Sequence, residues 1–537
     1  MRLIFAALLA VTLLAQPPAA QPPKPAAARP APAPDRNAFT AANSEKDPAL
    51  RAAALEKFLR DFPSSNMAPM ARRGIVSALV AAQPEDAVRK TRDLAASLPA
   101  AEAAAQYRTL AMELNGAGKL PAQAENAARQ ALKLFRYDAF AAQRRVDAED
   151  FGRPAPAESQ MRARFAVQRA QFNETLAQVL ESRGQAGKAI KVYRQALQAN
   201  PASTASARSL AAAEEKAGHT AAALGYYAQA LLARPSAESR QRFYEAWKKA
   251  KGGLDGAEAF LDRKYRELFP NPLHAAPFRK TAARSNRLVL AEVYTGAGCP
   301  PCVGADLAFE AVLERYPRSD VAVLMYHEHI PRPDPLTNND TLTRWKWQQG
   351  RGVPTYAVDG EVSGRGGGGR DSAPELESYI RASIEKQLET PAGAALELKA
   401  ANDGRGVRAT ARVASISKPN PNLVLNLALV EKDVRYSGEN GIRFHPMVVR
   451  RLHTVSLKNV ANLQEAHAFS LPEVAENLTK HLDAFEKHDD RHNKDGQFRF
   501  AERKDSVDPA GLAVVAFVQD SATKEVLQAA WADAPKE

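Results

Sequence analysis

The sequence feature that most constrains the fold is an internal repeat with a period of 34 residues. Seven residues of one segment return at the same offset in the next: Gly184, Ala189, Tyr193, Ala196, Leu197, Ala199 and Pro201 recur as Gly218, Ala223, Tyr227, Ala230, Leu231, Ala233 and Pro235. Small residues at such positions let two helices approach closely, and the proline ends the second helix. Because one repeat cannot bury its apolar face alone, neighbouring repeats must stack. The pattern predicts an array of helix pairs.

The repeat lies within a longer helical region that we expect to span residues 45–270. Ala, Leu, Glu and Arg dominate it, apolar residues recur at helical spacing, and weaker relatives of the repeat occur at 54–65 and 124–135. The region resembles the tetratricopeptide repeats, whose stacked helix pairs form a concave surface. The resemblance implies a surface that binds a peptide or protein partner. A plain helical array that serves as a scaffold without a ligand is the alternative.

Residues 1–15 are expected to be an export signal. A charged start, Met1-Arg2, precedes an apolar run of 13 residues, which is shorter than the ~20 residues that cross a bilayer as a helix. The Pro- and Ala-rich stretch that follows favours extended chain, and we assign residues 16–44 to a linker. These features predict a periplasmic or secreted protein without a membrane span after signal cleavage. An uncleaved anchor is the alternative.

Length and composition indicate a multidomain globular protein. A chain of 537 residues is too long for one hydrophobic core, since cores stop growing at roughly 250–300 residues. The hydrophobic fraction of 45% and the charged fraction of 25% are typical of globular domains. The formal charge of +12 comes from basic residues scattered among acidic ones, so we expect no nucleic-acid partner.

Beyond residue 271 the pattern changes from helices to alternating strands and helices. Apolar strands are predicted over 288–293 and 321–326, with a helix between them at 302–315. Strand, helix and strand in this order indicate a parallel βαβ unit. We assign residues 285–391 to this α/β domain.

The last part of the chain, residues 392–537, is predicted to be a mainly β, sandwich-like domain. Apolar and polar residues alternate through 407–413, and longer apolar strands are predicted over 423–430 and 512–518. Alternation with a period of two is typical of strands with one buried face. The predicted order is therefore a helical solenoid, an α/β domain and a β-rich domain.

Cys299 and Cys302 are the two cysteines of the chain, and they stand in the motif Cys299-Pro300-Pro301-Cys302 between the first predicted strand and the helix. A structural disulfide across so short a loop would stabilise the fold little, because the entropic gain grows with loop length. A structural zinc site needs four ligands, and two thiols are not enough. A redox-active pair is therefore the favoured interpretation, with the other two left open.

The segment LVLAEVYTGAGCPPCVGAD (288–306), followed by Val-Pro-Thr at 353–355, resembles the thioredoxin superfamily. In that family the proline of the second motif is cis and faces the cysteines. The resemblance implies that Cys299 is the nucleophile and Cys302 the resolving thiol, and that the two form a disulfide. It also implies that Pro354 shapes the surface where a partner's sulfur docks. A helix N-terminus supplies partial positive charge that stabilises a thiolate.

A narrower resemblance is to uncharacterised secreted bacterial thioredoxin-like proteins that carry a C-terminal β domain. It rests on the opening TGAGCPPC and on the segments YSGENGIRFHPMVVR (436–450) and LAVVAFVQDSATKEVLQA (512–529). This narrower resemblance implies an architecture and no substrate.

Two positions depart from the thioredoxin pattern. Gly298 stands where thioredoxins usually carry Trp, and Val293 stands where they carry a buried Asp. Glu292, one position earlier, points to the opposite face of the strand and is kept as an auxiliary candidate.

His327 and His329, after the second strand, are expected to share one face near the cysteines, where an imidazole could move a proton or complete a Cys2His2 metal site. Ordinary hydrogen-bonded histidines are the alternative, and we assign no metal or cofactor.

A glycine-rich run, GRGGGG, occupies residues 364–369. A phosphate-binding loop continues with Lys and then Ser or Thr, and this run does not. We expect a flexible hairpin loop here.

Together these features predict an exported thiol-disulfide oxidoreductase, a disulfide reductase or isomerase, that acts on protein thiols and disulfides and holds a partner on its helical repeats. Proline has no N–H group, so Pro300 and Pro301 remove two donors that would stabilise the Cys299 thiolate, which favours a reducing couple. The alternative is a non-enzymatic envelope scaffold protein whose thioredoxin-like domain is redox-inert.

Overall fold

The structure is a computed structural model, and it describes residues 34–536 except 151, 153, 458–461, 490 and 495. The expected signal, residues 1–15, lies outside the described residues, as do residues 16–33 of the expected linker. The chain forms two compact units, one that ends at Gln83 and one that begins at Pro84.

The first unit is built from three helices in its described part: α1 (Pro34–Asn43), α2 (Pro48–Asp61) and α3 (Ala68–Ala82). Leu55, Phe58 and Ile75 form its core, and the ring of Phe39 packs edge-on against Phe58 with centroids 5.7 Å apart. The linker was expected to reach residue 44, but residues 34–43 form α1. The proline of α1 stands at the first helical position, where its missing N–H costs nothing, and Phe39 gives the helix an apolar side to bury.

The second unit begins with ten helices, α4 to α13. In chain order these are Pro84–Ala96, Ala100–Gly116, Pro121–Leu134, Tyr137–Asp150, Glu158–Ser182, Ala186–Ala199, Thr204–Lys216, Thr220–Ala233, Ala237–Lys251 and Ala257–Leu268. Short turns join most of them, so that α5 with α6, α8 with α9 and α10 with α11 pack as antiparallel hairpins. The predicted helical region is confirmed.

The 34-residue repeat of the sequence is reproduced in three dimensions. The hydroxyl of Tyr193 in α9 donates a hydrogen bond to Glu181 at 2.7 Å. One repeat later, the hydroxyl of Tyr227 in α11 donates to Glu215 at 2.6 Å. Equivalent residues thus make equivalent contacts, and this region is an array of tetratricopeptide-like helical hairpins.

The rest of the second unit combines strands with four further helices. In chain order they are β1 (Val289–Thr295), α14 (Cys302–Arg315), β2 (Val321–His327), α15 (Asn339–Trp347), β3 (Thr355–Val358), β4 (Glu361–Arg365), α16 (Ala373–Glu389), β5 (Ala394–Asn402), β6 (Gly406–Ile416), β7 (Leu423–Arg435), β8 (Phe444–Ser456), β9 (Leu463–Ser470), α17 (Leu471–His488), β10 (Leu512–Asp520) and β11 (Val526–Ala534).

Eight strands form one sheet in the order β11-β10-β7-β8-β2-β1-β3-β4. β1 and β2 are parallel, with Val289 opposite Val321 and Thr295 opposite His327, and α14 connects them. The predicted βαβ unit is therefore confirmed. β3 lies antiparallel to β1, and β4 lies antiparallel to β3. Helices α14 and α16 pack on one face of these strands and α15 packs on the other.

The strands beyond residue 391 form a core among themselves and also share one with the α/β strands before it. β8 joins β2 in parallel at Met325 and Val448, so that β7, β8, β10 and β11 continue the sheet that begins beside the cysteines. Tyr326 and Val449, from the two sides of residue 391, belong to one hydrophobic cluster. The domain boundary expected between residues 391 and 392 therefore lies within a continuous sheet. The sequence could not show this, because the alternation of residues along a strand does not reveal which distant strand it pairs with.

A second sheet of three strands, in the order β5-β6-β9, packs on β7 and β10. Ala409 and Ala411 on β6 share a core with Leu427 and Val514, in two layers that agree with the sandwich-like expectation for this part. The sequence analysis did not predict α17, which follows β9. Within the described residues, no helix is both long enough and apolar enough to cross a membrane.

Candidate functional site

The two cysteines lie at the junction of β1 and α14, as predicted. Cys299 belongs to the loop after β1, and its N–H donates to the carbonyl oxygen of Gly296 at 3.0 Å. Cys302 is the first residue of α14, and its sulfur forms a disulfide with Cys299. Both cysteines are buried, with 1% and 0% of their surfaces exposed, whereas Pro300 and Pro301 are exposed.

Pro354 faces this motif from the loop before β3. The peptide bond between Val353 and Pro354 is cis. The carbonyl oxygen of Val353 lies 3.8 Å from the Sγ of Cys299. The structure therefore brings Pro354 and the two cysteines together.

The glycine-rich run packs against the cysteine motif. The N–H of Gly368 donates to the carbonyl oxygen of Pro301 at 2.8 Å, and the N–H of Gly304 in α14 donates back to Gly368 at 2.8 Å. A Cβ on Gly367 would lie 2.1 Å from the Pro301 oxygen and 2.7 Å from the Cγ of Pro354, so glycine alone fits there. The flexible hairpin loop expected from the sequence is instead a segment held by backbone hydrogen bonds.

Residues 328–334 and 436–441 form a cover over the loop that holds Cys299. A Cβ on Gly298 would lie 2.8 Å from the Cβ of Arg332, so the cover occupies the space that a larger side chain at position 298 would need. Arg332 is paired with Glu439, and their side chains are 49% and 43% exposed. This contact gives a physical reason for glycine at position 298.

Asn440 connects the cover to the cysteine loop. Its N–H donates to the carbonyl oxygen of Ala297 at 3.0 Å, and its side-chain amide donates to the carbonyl oxygens of Gly296 at 3.3 Å and Cys299 at 3.5 Å. Asn440 was not predicted from the sequence as part of the site. The pair Asn440-Gly441 is a turn signal in the sequence, but it does not tell which loop the turn meets.

His327 lies at the end of β2, and its Nδ1 is 2.8 Å from the Oδ2 of Asp334. Both side chains are fully buried. The same oxygen of Asp334 accepts the N–H of Ala297 at 2.6 Å. Burial opposes ionisation of Asp334, but the charge of His327 and these hydrogen bonds outweigh it and lower the pKa of Asp334 to about 2. Through Asp334, His327 is connected to the loop that precedes Cys299.

His329 lies apart from His327, although the two were expected to share one face. Strand β2 ends at His327, and side chains alternate between faces only within a strand. The ring of His329 stacks on Phe485 with centroids 3.8 Å apart, and its Nε2 is 3.1 Å from the Nε2 of His481. In the part of the chain that the structure describes, no three His, Cys, Asp or Glu side chains are grouped to hold a metal ion.

Glu292 is buried on the sheet face that α15 covers. Its Oε1 accepts hydrogen bonds from Arg344 at 2.8 and 3.1 Å. The neighbouring Val293 packs in the core on the α14 side, so the two residues point to opposite faces as predicted. The partner of Glu292 is therefore Arg344 rather than a cysteine.

A buried carboxyl group that the sequence analysis missed lies on α14 itself. Asp306 is 5% exposed, and its Oδ1 accepts the hydroxyl of Thr295 at 2.6 Å. Burial raises the pKa of Asp306 to about 7, although the hydrogen bond from Thr295 and the charge of His327 act in the opposite direction. The sequence held a signal for it, because an acid four residues after Cys302 lies on the same face of an otherwise apolar helix.

No known family model matches the chain, and no curated protein matches it. HBP35 of Porphyromonas gingivalis is similar to part of it, with 17% identity, coverage of 46% of this chain and 75% of that chain, and a TM-score of 0.30. MamA has 17% identity over 38% of this chain and 95% of its own, with a TM-score of 0.25. The TPR domain of P58(IPK) has 14% identity over 44% of this chain and 71% of its own, with a TM-score of 0.15. The tetratricopeptide-like hairpins are therefore assigned from the chain's own repeat.

Proposed function

We propose that this protein is a thiol-disulfide oxidoreductase, a disulfide reductase or isomerase, whose reaction centre lies in a thioredoxin-like domain. The observation that carries the proposal is the Cys299–Cys302 pair at the start of α14 with the Val353-Pro354 loop beside it. The parallel β1-α14-β2 unit, the antiparallel β3 and β4, and α16 lie around this centre.

The proposed reaction has two exchange steps. The thiolate of Cys299 attacks one sulfur of a partner disulfide, and the other partner sulfur leaves as a thiolate. The sulfur of Cys302 then attacks Cys299, which releases the second partner thiolate and forms the Cys299–Cys302 disulfide. Two electrons pass from the cysteine pair to the partner, and a thiol reductant must restore the pair afterwards.

The start of α14 favours the reducing direction. Pro300 and Pro301 have no N–H to donate. The N–H of Cys302 donates to the carbonyl oxygen of Cys299 at 3.1 Å, and the N–H of Gly304 donates to the glycine-rich run. These donors are therefore missing or already engaged, so a Cys299 thiolate gains little stabilisation. We expect a reduction potential nearer ~ −270 mV than ~ −120 mV.

One observation favours the alternative function, a scaffold protein with a redox-inert domain. Reactive cysteines need an accessible sulfur, and both cysteines are buried beneath the cover. If the pair is active, a partner must displace the cover to reach Cys299. The two functions therefore differ in whether the disulfide reacts.

Reduction of insulin by dithiothreitol tests these two functions. We expect the full chain to accelerate insulin precipitation, and we expect Cys299→Ser and Cys302→Ser to abolish the acceleration. Cys302→Ser should also accumulate a mixed disulfide through Cys299, because the resolving thiol is missing. A wild-type protein that is inactive and whose disulfide resists dithiothreitol would support the scaffold function.

We further propose that the protein is exported to the cell envelope and that its helical hairpins bind a polypeptide partner. The charged start and apolar run of residues 1–15 support export. Stacked helix pairs form extended surfaces of the kind that bind peptides. N-terminal sequencing tests the first proposal, and Met1 in cytosolic protein would contradict it. Capture from an envelope extract by residues 40–270 tests the second, and the absence of specific capture would contradict it.

A further inference from the structure

The inner face of α14 places a carboxyl group close to the second cysteine. Cys302 and Asp306 are four residues apart on this helix, so their side chains share one face and their Cβ atoms lie about 5–6 Å apart. Both residues are buried, at 0% and 5% exposure. A thiol and a carboxyl enclosed in this way are separated from bulk water, which leaves the carboxyl as an acceptor on the same helix face as the thiol.

One oxygen of Asp306 is available to hold such a proton. Its Oδ1 accepts the hydroxyl of Thr295 at 2.6 Å. Its Oδ2 is buried and has no hydrogen-bond partner among the described residues. A buried polar atom without a partner costs free energy, so its position calls for a physical explanation.

Four polar or charged groups act on Asp306 from neighbouring parts of the chain. These are Thr295 of β1, His327 of β2, Asp334 of the segment after β2, and Glu310 of the next turn of α14. His327 and Asp334 are themselves paired at 2.8 Å. The charge of His327 favours an ionised Asp306, while Asp334 and Glu310 oppose it.

The balance of these effects suits proton exchange with a thiol. Burial, the largest effect, raises the pKa of Asp306 to about 7. Because this pKa lies near neutral pH, the carboxyl can both accept and release a proton there.

Three other carboxyl groups buried nearby have charged groups beside them: Asp334, Glu292 and Glu328. Glu292 is bound by Arg344 of α15. Glu328 follows the end of β2, and Asp334 and Lys346 of α15 are the nearby charges. Asp306 is thus the carboxyl that shares a helix face with Cys302.

We propose that Asp306 accepts the thiol proton of Cys302 in the step that resolves the mixed disulfide, an inference that rests on the proposed function. The hydrogen of the Cys302 thiol moves to Oδ2 of Asp306, and the Cys302 sulfur forms a bond to the sulfur of Cys299. The bond between Cys299 and the partner sulfur breaks, and the partner leaves as a thiolate with the bonding electrons. When a thiol reductant later opens the disulfide, the proton returns from Asp306 to Cys302.

An aromatic disulfide whose leaving thiolate absorbs visible light separates the two steps. When one equivalent is mixed with reduced protein, the first release of thiolate reports attack by Cys299, and the second reports attack by Cys302. Asp306→Asn should leave the first release unchanged and slow the second about 10²-fold at neutral pH, in the range that general-base catalysis contributes. In the wild type the second release should rise with pH through a midpoint near the pKa of Asp306, about 7. The variant should lack this rise.

Two further variants keep the test decisive if Asp306→Asn fails to fold. Thr295→Val keeps the carboxyl and removes its hydrogen bond, which raises the pKa of Asp306 and should shift the midpoint of the second release upward. Glu314→Gln, at an exposed acid of the same helix, should leave both releases unchanged.

Two results would overturn the inference: a second release that Asp306→Asn leaves unchanged, or a midpoint that Thr295→Val does not move. If the wild-type protein shows no first release, the proposed function itself fails, and the inference falls with it.

Discussion

Glycine residues set how closely chain segments approach the cysteine pair. A Cβ on Gly304 would lie 2.9 Å from the carbonyl oxygen of Gly369, and a Cβ on Gly296 would lie 2.7 Å from the carbonyl oxygen of Ile330. Both distances are shorter than van der Waals contact, so backbone atoms occupy places where side chains would stand. The cysteines are therefore enclosed largely by backbone.

Gly367→Ala should destabilise the protein by about 1–3 kcal/mol, the usual cost of overpacking. The added methyl group would lie 2.1 Å from the carbonyl oxygen of Pro301 and 2.7 Å from Pro354, and neither can move without disturbing the cysteine motif. Urea-induced unfolding measures the loss. Gly352→Ala is the control, because a Cβ there meets nothing within 4 Å and should change the stability by less than ~1 kcal/mol. Equal stabilities of the two variants would contradict the close packing.

Asp306→Asn should stabilise the folded protein at alkaline pH, even though it should slow the reaction. Burial raises the pKa of Asp306 from 3.8 to about 7, so the folded state binds this proton more tightly than the unfolded chain does. This tighter binding stabilises the folded protein against unfolding by at most ~4 kcal/mol. The stabilisation is fully present below about pH 4 and is lost as the pH rises through about 7. Urea unfolding at pH 5 and pH 8 should therefore show a steeper loss for the wild type than for the variant. The same pH dependence in both proteins would show that Asp306 has an ordinary pKa.

How far single residues could be predicted from the sequence depended on how local their signals are. Cys299, Cys302 and Pro354 belong to short motifs, and the structure brings them together as predicted. Asp306 was within reach as well, because helical spacing alone places it on the face of Cys302. Asn440 was not, since 141 residues separate it from Cys299 and a contact between two loops has no local signature.

Secondary-structure elements, like single residues, could be predicted where their signals in the sequence are local. The predicted helix over 302–315 is α14, because apolar spacing and the cysteine motif mark its length and start. The helix α15 was missed although Asn338 and Thr341 form a capping box at its start, a signal that sequence reasoning can read. The order of the strands was not predictable in the same way, because pairing such as that of β8 with β2 depends on the whole chain.

Removing the ion pair of the cover should make the disulfide more accessible. Arg332 and Glu439 are both about half exposed, and such pairs contribute about 0.5–1 kcal/mol, which corresponds to roughly a two- to fivefold change in an opening equilibrium. Arg332→Ala and Glu439→Ala should therefore increase the rate at which dithiothreitol reduces the disulfide by about the same factor. Lys432→Ala, which removes another partly exposed pair, with Asp533, is the control. If all three variants react at the wild-type rate, the cover does not limit access.

The last helices of the array and the loop that holds Cys299 both contact the cover. Arg240 of α12 donates to the carbonyl oxygen of Ser437 at 2.9 Å, and Arg443 donates to Asp262 of α13 at 2.8 Å. Between these two contacts lies Asn440, whose amide reaches the cysteine loop. A partner held on the last helices would therefore lie next to the cover.

The continuity of the sheet predicts how the chain can be divided. Leu290, Leu324 and Tyr326, from the segment 285–391, belong to one hydrophobic cluster with Val449 of β8 and further residues of β7 and β10. Burial of a large apolar side chain contributes about 1.5–3 kcal/mol, and a typical domain is stable by only about 5–15 kcal/mol. The loss of β7, β8 and β10 would thus remove stabilisation comparable to that of a whole domain, and it would leave an edge of β2 unpaired.

A fragment of residues 285–391 should therefore fail to form a stable monomer, whereas residues 84–537, the second compact unit, should fold. Near-ultraviolet circular dichroism reports packing of the aromatic core. Sedimentation distinguishes monomers from aggregates, which would form by pairing at the exposed edge of β2. The longer fragment is the control, since it keeps every strand of the sheet and the helices beside the cover. A shorter fragment that stays monomeric and unfolds cooperatively would show that residue 391 is a true domain boundary. In that event, the strands beyond it would be an attachment to the α/β domain rather than part of its core.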